Sequence, residues 1–379
     1  MTENQAPTLE GARVWRAAPE PLLTIGAGGE RALAGDTLYE FTDIAGGQLL
    51  ADGRVVVAVM GASTLRFYDS TGRFERSAGR KGAGPGEFRQ ILALYRMRGD
   101  TLAVNDHYLE LDWFGPDGRS IRRGRASRDE FVQLQTVSLL EDGTYFGIEM
   151  SHREPSGRFT RRMLTLLRVD VTRGTVDTVA TLPGILESSR APGFEPQPVI
   201  FTPTHHFAAL DDSLITANSA TYELFVRSRD GPIGRTIRRA WTGTAVDERL
   251  KEEYKEYHLT RPGAPLSARW RRQQERWFSL DPYADTYPAF QRILTSHEGD
   301  IWVQRYEPRS VFRRNWSLAA QWSDESSTWD VFARSGRWQT TVELPARYTL
   351  LDVRGDRLLG LTVNDDEEEG VQVLRLLRP

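Results

Sequence analysis

Three stretches of this chain place one turn residue nineteen positions before a second, with two strand-like apolar runs between them. Residues 52–72 read Asp-Gly-Arg-Val-Val-Val-Ala-Val, a polar break, then Leu-Arg-Phe-Tyr-Asp-Ser-Thr-Gly, so that Gly53 opens and Gly72 closes the unit. Residues 99–118 and 211–231 follow the same plan, from Gly99 to Gly118 and from Asp212 to Gly231. Equal spacing carried by different residues is the trace of one supersecondary unit that was copied and then diverged. Looser copies open at Glu141-Asp142-Gly143, Glu298-Gly299-Asp300 and Arg354-Gly355-Asp356. The polar residues 151–157 stretch the first of these, and a Trp-rich insert around 313–329 lengthens the second.

Each unit also has an apolar run before its first marker, such as Ile91-Leu92-Ala93-Leu94, and a strand after its second. Four strands per unit and six units predict an all-β, six-bladed β-propeller of four-stranded antiparallel blades, one domain over 1–379. The sixth unit ends one strand short, whereas residues 13–26, with Leu22-Leu23-Thr24-Ile25, form a spare strand ahead of the first. The two ends are expected to pair and close the ring, which hides edge strands that would otherwise invite aggregation. Residues 1–12 are expected to be a flexible tail.

Residues 67–118 carry Arg-Phe-Tyr-Asp-Ser-Thr-Gly-Arg-Phe, then Gly82-Ala83-Gly84-Pro85-Gly86-Glu87-Phe88, then Gly99-Asp100-Thr-Leu-Ala-Val-Asn-Asp106. This resembles an NHL repeat, whose pattern has a Gly-Pro-Gly-x-Phe turn between blades, an apolar strand ending in Asp, and a closing aromatic-x-x-x-Gly. The match covers about two blades, and it is also similar to a broad bacterial group of six-bladed propellers, commonly exported. What the resemblance implies is the fold and, for the compartment, the periplasm or cell surface; it implies no reaction. The start, Met1-Thr2-Glu3-Asn4-Gln5, lacks the basic-then-apolar pattern of an export signal. The glycines at 82–86 are read as a structural turn, because a phosphate loop needs a Lys-Ser/Thr ending and a helix behind it, whereas Phe88 and another strand follow.

A net charge of -3 supplies no basic field for nucleic acid. The chain has no cysteine, which removes disulfides, thiolate metal sites and cysteine nucleophiles. No apolar run reaches the length of a membrane span. Lysine occurs only at 81, 251 and 255, so nearly all the basic residues are arginine. A monomer is expected.

In a propeller, the connections between blades and the middle hairpin of each blade share one face around the central channel, and function favours such loops on a rigid frame. Here that face should gather residues 79–88, 105–108, 149–158, 183–206, 218–222, 243–288 and 364–369. The longest insert, 243–288 between blades four and five, reads as two helices, with Leu250, Tyr254 and Tyr257 on one face of the first and Trp270 and Trp277 seven apart on the second. It is a lid, a docking element or a packed decoration. Candidate ligand contacts are Arg80, Asp106, His107, Tyr108, His152, His205, His206, Tyr222 and Trp270.

Two functions are carried forward. The first is a non-catalytic binding propeller that presents this face and the helical insert to a protein or small ligand, with no cofactor. The alternative is a metal-dependent lyase or lactonase at the channel mouth. For a lyase, Asp106, His107 and His206 would be catalytic, and His107, His205 and His206 would hold Zn²⁺. For a lactonase, Ca²⁺ or another divalent ion would sit on Asp43, Asn105, Asp106, Glu149 and Asn218, although strand-end Asp and Asn also cap turns. His205 and His206 are neighbours on a strand and must point to opposite sides, and His297 precedes a turn on the far face. The acidic run at 364–370 is a hairpin tip, no serine elbow is present, and the aromatics at 67–68, 113–114, 225 and 332 are packing between blades.

Overall fold

The computed structural model describes residues 1–9, 14–33, 35–84, 86–106, 110–125, 135–140, 143–170, 173, 175–188, 196–261, 264, 267–313 and 323–378. Six antiparallel sheets follow one another along the chain, and the fold is a six-bladed β-propeller. Blade one comprises residues 44–78, blade two 91–125, blade three 135–198, blade four 205–239, blade five 290–344 and blade six 348–377. The first strand of each blade is the inner one and lines the central channel.

The near-continuous apolar runs follow from this geometry. A blade stands between two neighbours, so both faces of its strands are buried and successive side chains feed two different cores. The strand Val55–Val59 shows it. Val55, Val57 and Val59 pack with Leu359, Leu361 and Val371 of blade six, whereas Val56 and Ala58 pack with Ile91, Leu102 and Phe114 of blade two. Full burial of one such valine contributes roughly 1.5–3 kcal/mol, and an aspartate at Val57 would set an unpaired charge between two blades. The recurrent aromatics divide in the same way: Tyr68 joins the blade-six side and Phe67 the blade-two side.

The spacing markers are turns. Gly53 and Gly72 have φ of 90° and 80°, values that a side chain disfavours. At Gly72 the reason is doubled, because a Cβ there would lie 2.7 Å from Leu23 Cδ1 of the N-terminal strand.

That strand, Arg16–Gly26, pairs antiparallel with Glu369–Leu377, from Arg16 opposite Leu377 to Gly26 opposite Gly370, and is the fourth strand of blade six. The segment before it departs from the flexible tail expected for 1–12. Thr2–Asn4 adds in parallel to Ile237–Arg239 as a fifth, outer strand of blade four. The cause is Asn4, a buried amide whose Nδ2 donates to Arg238 O at 2.9 Å and Gly336 O at 3.0 Å, while its Oδ1 accepts from Trp338 N at 2.8 Å. Thr8 N and Leu9 N then donate to Trp338 O and Gln339 O of blade five. The N-terminal segment is thus a belt over the outer rims of blades four, five and six.

Residues 151–157 also differ from the loop their polarity suggests. Tyr145–Ser156 and Phe159–Asp170 are twelve-residue strands that continue as a hairpin above the other blades. Beyond the blade core the extension is mostly exposed on both faces, with Phe159 near its tip as an apolar contact to the insert, so it carries little apolar alternation to be read.

Candidate functional site

The insert between blades four and five is helical, as expected. Its helices are Glu248–Thr260 and Ala268–Phe278, and each begins on a side-chain cap: Asp247 Oδ1 accepts from Leu250 N at 2.7 Å, and Ser267 Oγ from Trp270 N at 3.2 Å. Leu250, Trp277, Phe278, Tyr283 and Tyr287 form a core of their own with Val199, Ile200 and Phe201, which lie on the connection leading into blade four. The hairpin of blade three leans on it. Arg158 donates from Nη1 to Asp281 Oδ2 at 2.6 Å and from Nη2 to Tyr283 O at 2.9 Å, and Phe159 packs into the same core. Lower on the hairpin, Glu187 receives Arg153 Nε at 2.5 Å and Arg162 Nε at 3.3 Å. Insert and hairpin together make one raised, cross-braced wall on the loop face.

Glu307 and His205 are among the groups at this face with displaced acidities. Burial pushes the Glu307 carboxyl up to about 7, aided by Glu325 and opposed by the Gln304 amide. Its own N–H donates to Gln291 Oε1 at 3.0 Å, which also receives Ser310 Oγ. Burial pulls His205 down to about 4, and Arg227 and Arg161 add to the fall while its contact with Pro183 O opposes it.

At the opposite end of the channel, polar side chains link the blades. Arg96, at the end of the inner strand of blade two, reaches across the ring to blade five and donates to Ser296 O at 3.2 Å. Asp352 of blade six lies 3.7 Å from Arg96, contacts His297 Nε2 at 3.0 Å and accepts from Leu49 N of blade one at 2.8 Å. Arg354 donates to Leu49 O at 2.9 Å and to Asp100 at 2.5 Å, and Thr295 Oγ1 to Ala209 O of blade four at 2.6 Å. Blades one, two, four, five and six are therefore tied together by a polar floor. His297 belongs to that floor, on the face where its position before a turn placed it.

The sequence candidates scatter. Asp106 is fully buried and accepts from Arg89 N at 3.1 Å and Gln90 N at 2.8 Å, which caps the start of its blade's inner strand. Arg123 joins it at 3.4 Å, and also Glu110 at 2.9 Å and Asp112 at 3.2 Å. The same guanidinium donates to Gly84 O, and Glu87 accepts from Ala83 N and Gly84 N, so the glycine turn is clamped between an arginine and a carboxylate. Arg80 is exposed and pairs with Glu87. His152 is exposed on the hairpin, 2.9 Å from Glu154. His205 faces blade three, with Nδ1 2.7 Å from Pro183 O, and His206 faces blade five, its ring 5.2 Å from that of Phe290. Tyr222 is buried between blades four and five and donates to Asp330 Oδ2 at 2.7 Å. Trp270 stands on the second helix with its ring 5.9 Å from His258. His107 and Tyr108 lie outside the described residues.

The two histidines fail to converge because blades stand radially, so alternate residues of an inner strand face the two neighbouring blades. Among the described residues no group of three His, Asp or Glu side chains is placed to hold a metal ion. Asn218 caps a turn, with Oδ1 accepting from Ala220 N at 2.9 Å, and Asp43 occupies a left-handed turn position at φ 56°. Asn105 is buried in its strand and Glu149 lies on the blade-three hairpin. Arg158, Asp281, Arg96 and Asp352 were not singled out by sequence, since nothing local distinguishes them from other surface charges.

No family model matches the chain, and no curated protein matches it in sequence. Solved structures do. A member of the DUF4221 family from Bacteroides vulgatus aligns at TM-score 0.56 and 10% identity over 97% of this chain and 100% of that one. A putative exported protein from Bacteroides fragilis aligns at 0.47 and 10% identity over 99% of both chains, and regucalcin from Agrobacterium tumefaciens at 0.40 and 12% over 97% and 98%. At these identities the likeness is one of fold. Among the described residues no helix is long and apolar enough to cross a membrane.

Proposed function

We propose that the protein is a non-catalytic binding propeller that receives a protein segment or small ligand on its loop face, against the wall of helical insert and blade-three hairpin. The observation that carries this reading is the bracing of that wall by Arg158 onto Asp281 and Tyr283. Two inserts from separate blades are held rigidly over one side of the ring, and rigid elements lose less conformational entropy on binding. The titratable candidates, by contrast, are dispersed among blade interfaces and turn caps.

Native mass spectrometry of protein isolated without chelators, with elemental analysis of the same sample, tests it. The expected result is a bound organic or peptide ligand and no stoichiometric metal. Turnover of a lactone or peptidyl-hydroxyglycine substrate that survives purification and disappears with one loop-face substitution overturns it in favour of a propeller enzyme. The exported location suggested by the resemblance belongs to the same proposal, and fractionation of the source cell checks it.

A further inference from the structure

Arg292 lies on the inner strand of blade five, Phe290–Thr295. That strand descends from the loop face to the polar floor, and at about 3.3 Å per residue Arg292 sits roughly 10 Å above Thr295. Ile293 packs into the core between blades four and five. Its neighbour Arg292 therefore projects to the other side, toward blade six and the channel, where it keeps partial contact with solvent.

Its Nη1 is buried and has no hydrogen-bond partner among the described residues. Arg96, Arg123, Arg239, Arg305 and Arg354 contrast with it, because each faces a carboxylate: Asp352, Asp106 with Glu110, Asp330, Asp330 and Asp100. Desolvation alone draws the Arg292 pKa down to about 10, so the group is still a cation at neutral pH. A half-buried cation with no counter-charge among the described residues carries a desolvation cost, and a buried N–H without an acceptor adds to it. Such a group is stable in a folded protein when something supplies the missing charge. The planar guanidinium fork matches the paired oxygens of a carboxylate or phosphate.

We infer that the channel above the polar floor is a binding site for a small oxyanion, a carboxylate or phosphate group, held by Arg292. This rests on the reading of the loop face as the ligand-bearing face and names the chemistry of what enters there.

Calorimetric titration of the full chain with sodium acetate and, separately, inorganic phosphate tests the site, with chloride holding the ionic strength constant. Saturable binding of at least one is expected, and whichever binds more tightly identifies the oxyanion. Arg292→Gln should weaken it roughly tenfold to a hundredfold, the range of a charge-assisted hydrogen bond. Arg292→Lys, which keeps the charge and loses the fork, should fall between, and it serves if the glutamine variant does not fold. Arg119→Ala, at an exposed outer turn of blade two, should bind as the parent does. Unchanged affinity in Arg292→Gln, or no saturable binding of either anion, overturns this site and leaves the loop-face reading standing. Catalytic turnover at the loop face overturns that reading without touching the titration.

Discussion

Truncating Ile25 to alanine should destabilise the protein far more than truncating Leu22, although the two residues are three apart on one strand of similar composition. Ile25 is 1% exposed and packs with Tyr68, Val371 and Val373, whereas Leu22 is 46% exposed. Removing a buried isoleucine side chain costs about 2–5 kcal/mol through lost transfer energy and the cavity left behind. An exposed substitution stays within about 0.5 kcal/mol. Leu23, half-buried against the same core, should fall between them. Urea denaturation followed by tryptophan fluorescence reads the difference as a shift in midpoint at unchanged slope. Equal shifts for Ile25→Ala and Leu22→Ala, or no shift for Ile25→Ala, would refute the docking of Arg16–Gly26 as the fourth strand of blade six.

Asn4→Ala strands three backbone groups on two blades and should cost about 1–3 kcal/mol in the same assay, while Thr2→Ala should be nearly silent. His205, held near 4 against an ordinary 6.5, binds fewer protons folded than unfolded, so its contribution to stability is present above pH 6.5 and is lost as the pH falls toward 4. Its ring proton shifts in NMR should stay flat between pH 7 and about 5, and a midpoint near 6.5 would contradict the burial argument. Asp112 behaves oppositely: burial lifts its carboxyl to about 6, so stability drains as the pH rises from 3.8 to about 6, and Asp112→Asn should gain on the parent above that window and lose its advantage below it. Arg158→Ala should speed amide exchange at 281–285 with little change in global melting, since an exposed ion pair contributes about 1 kcal/mol or less. Unchanged exchange there would mean that the hairpin does not brace the insert.

Much of the frame is legible in the chain because turns and periodicity are local. Gly53, Gly72, Gly99, Gly118 and Gly231 all take positive φ, so the nineteen-residue spacing reads true turns. The helices of the insert follow from Asp247, Ser267 and the apolar spacing of Leu250 and Tyr254. What sequence does not encode locally is which blade a side chain faces. His205 and His206 are adjacent and polar, and only the radial stance of the blades sends one toward Pro183 and the other toward Phe290. Charges that act across the ring are hidden for the same reason. Arg96 and Ser296 are two hundred positions apart, and no periodicity links them. The blade-three hairpin escapes because period-two alternation reports burial, and from Ser151 to Ser156 the strand is mostly exposed.

The belt formed by residues 1–9 and 14–26 has a consequence for how the ring closes. Its partners are residues 237–239, 336–340 and 369–377, so these strands cannot find their places until segments far along the chain have folded. Contacts of such long sequence separation close slowly, because loop entropy is lost before pairing repays it. Until then Val371, Val373 and Leu374 of the final strand have an open edge, which exposes the nascent propeller to pairing with other chains. For this protein, closing the ring waits on the meeting of two segments that lie about 350 positions apart.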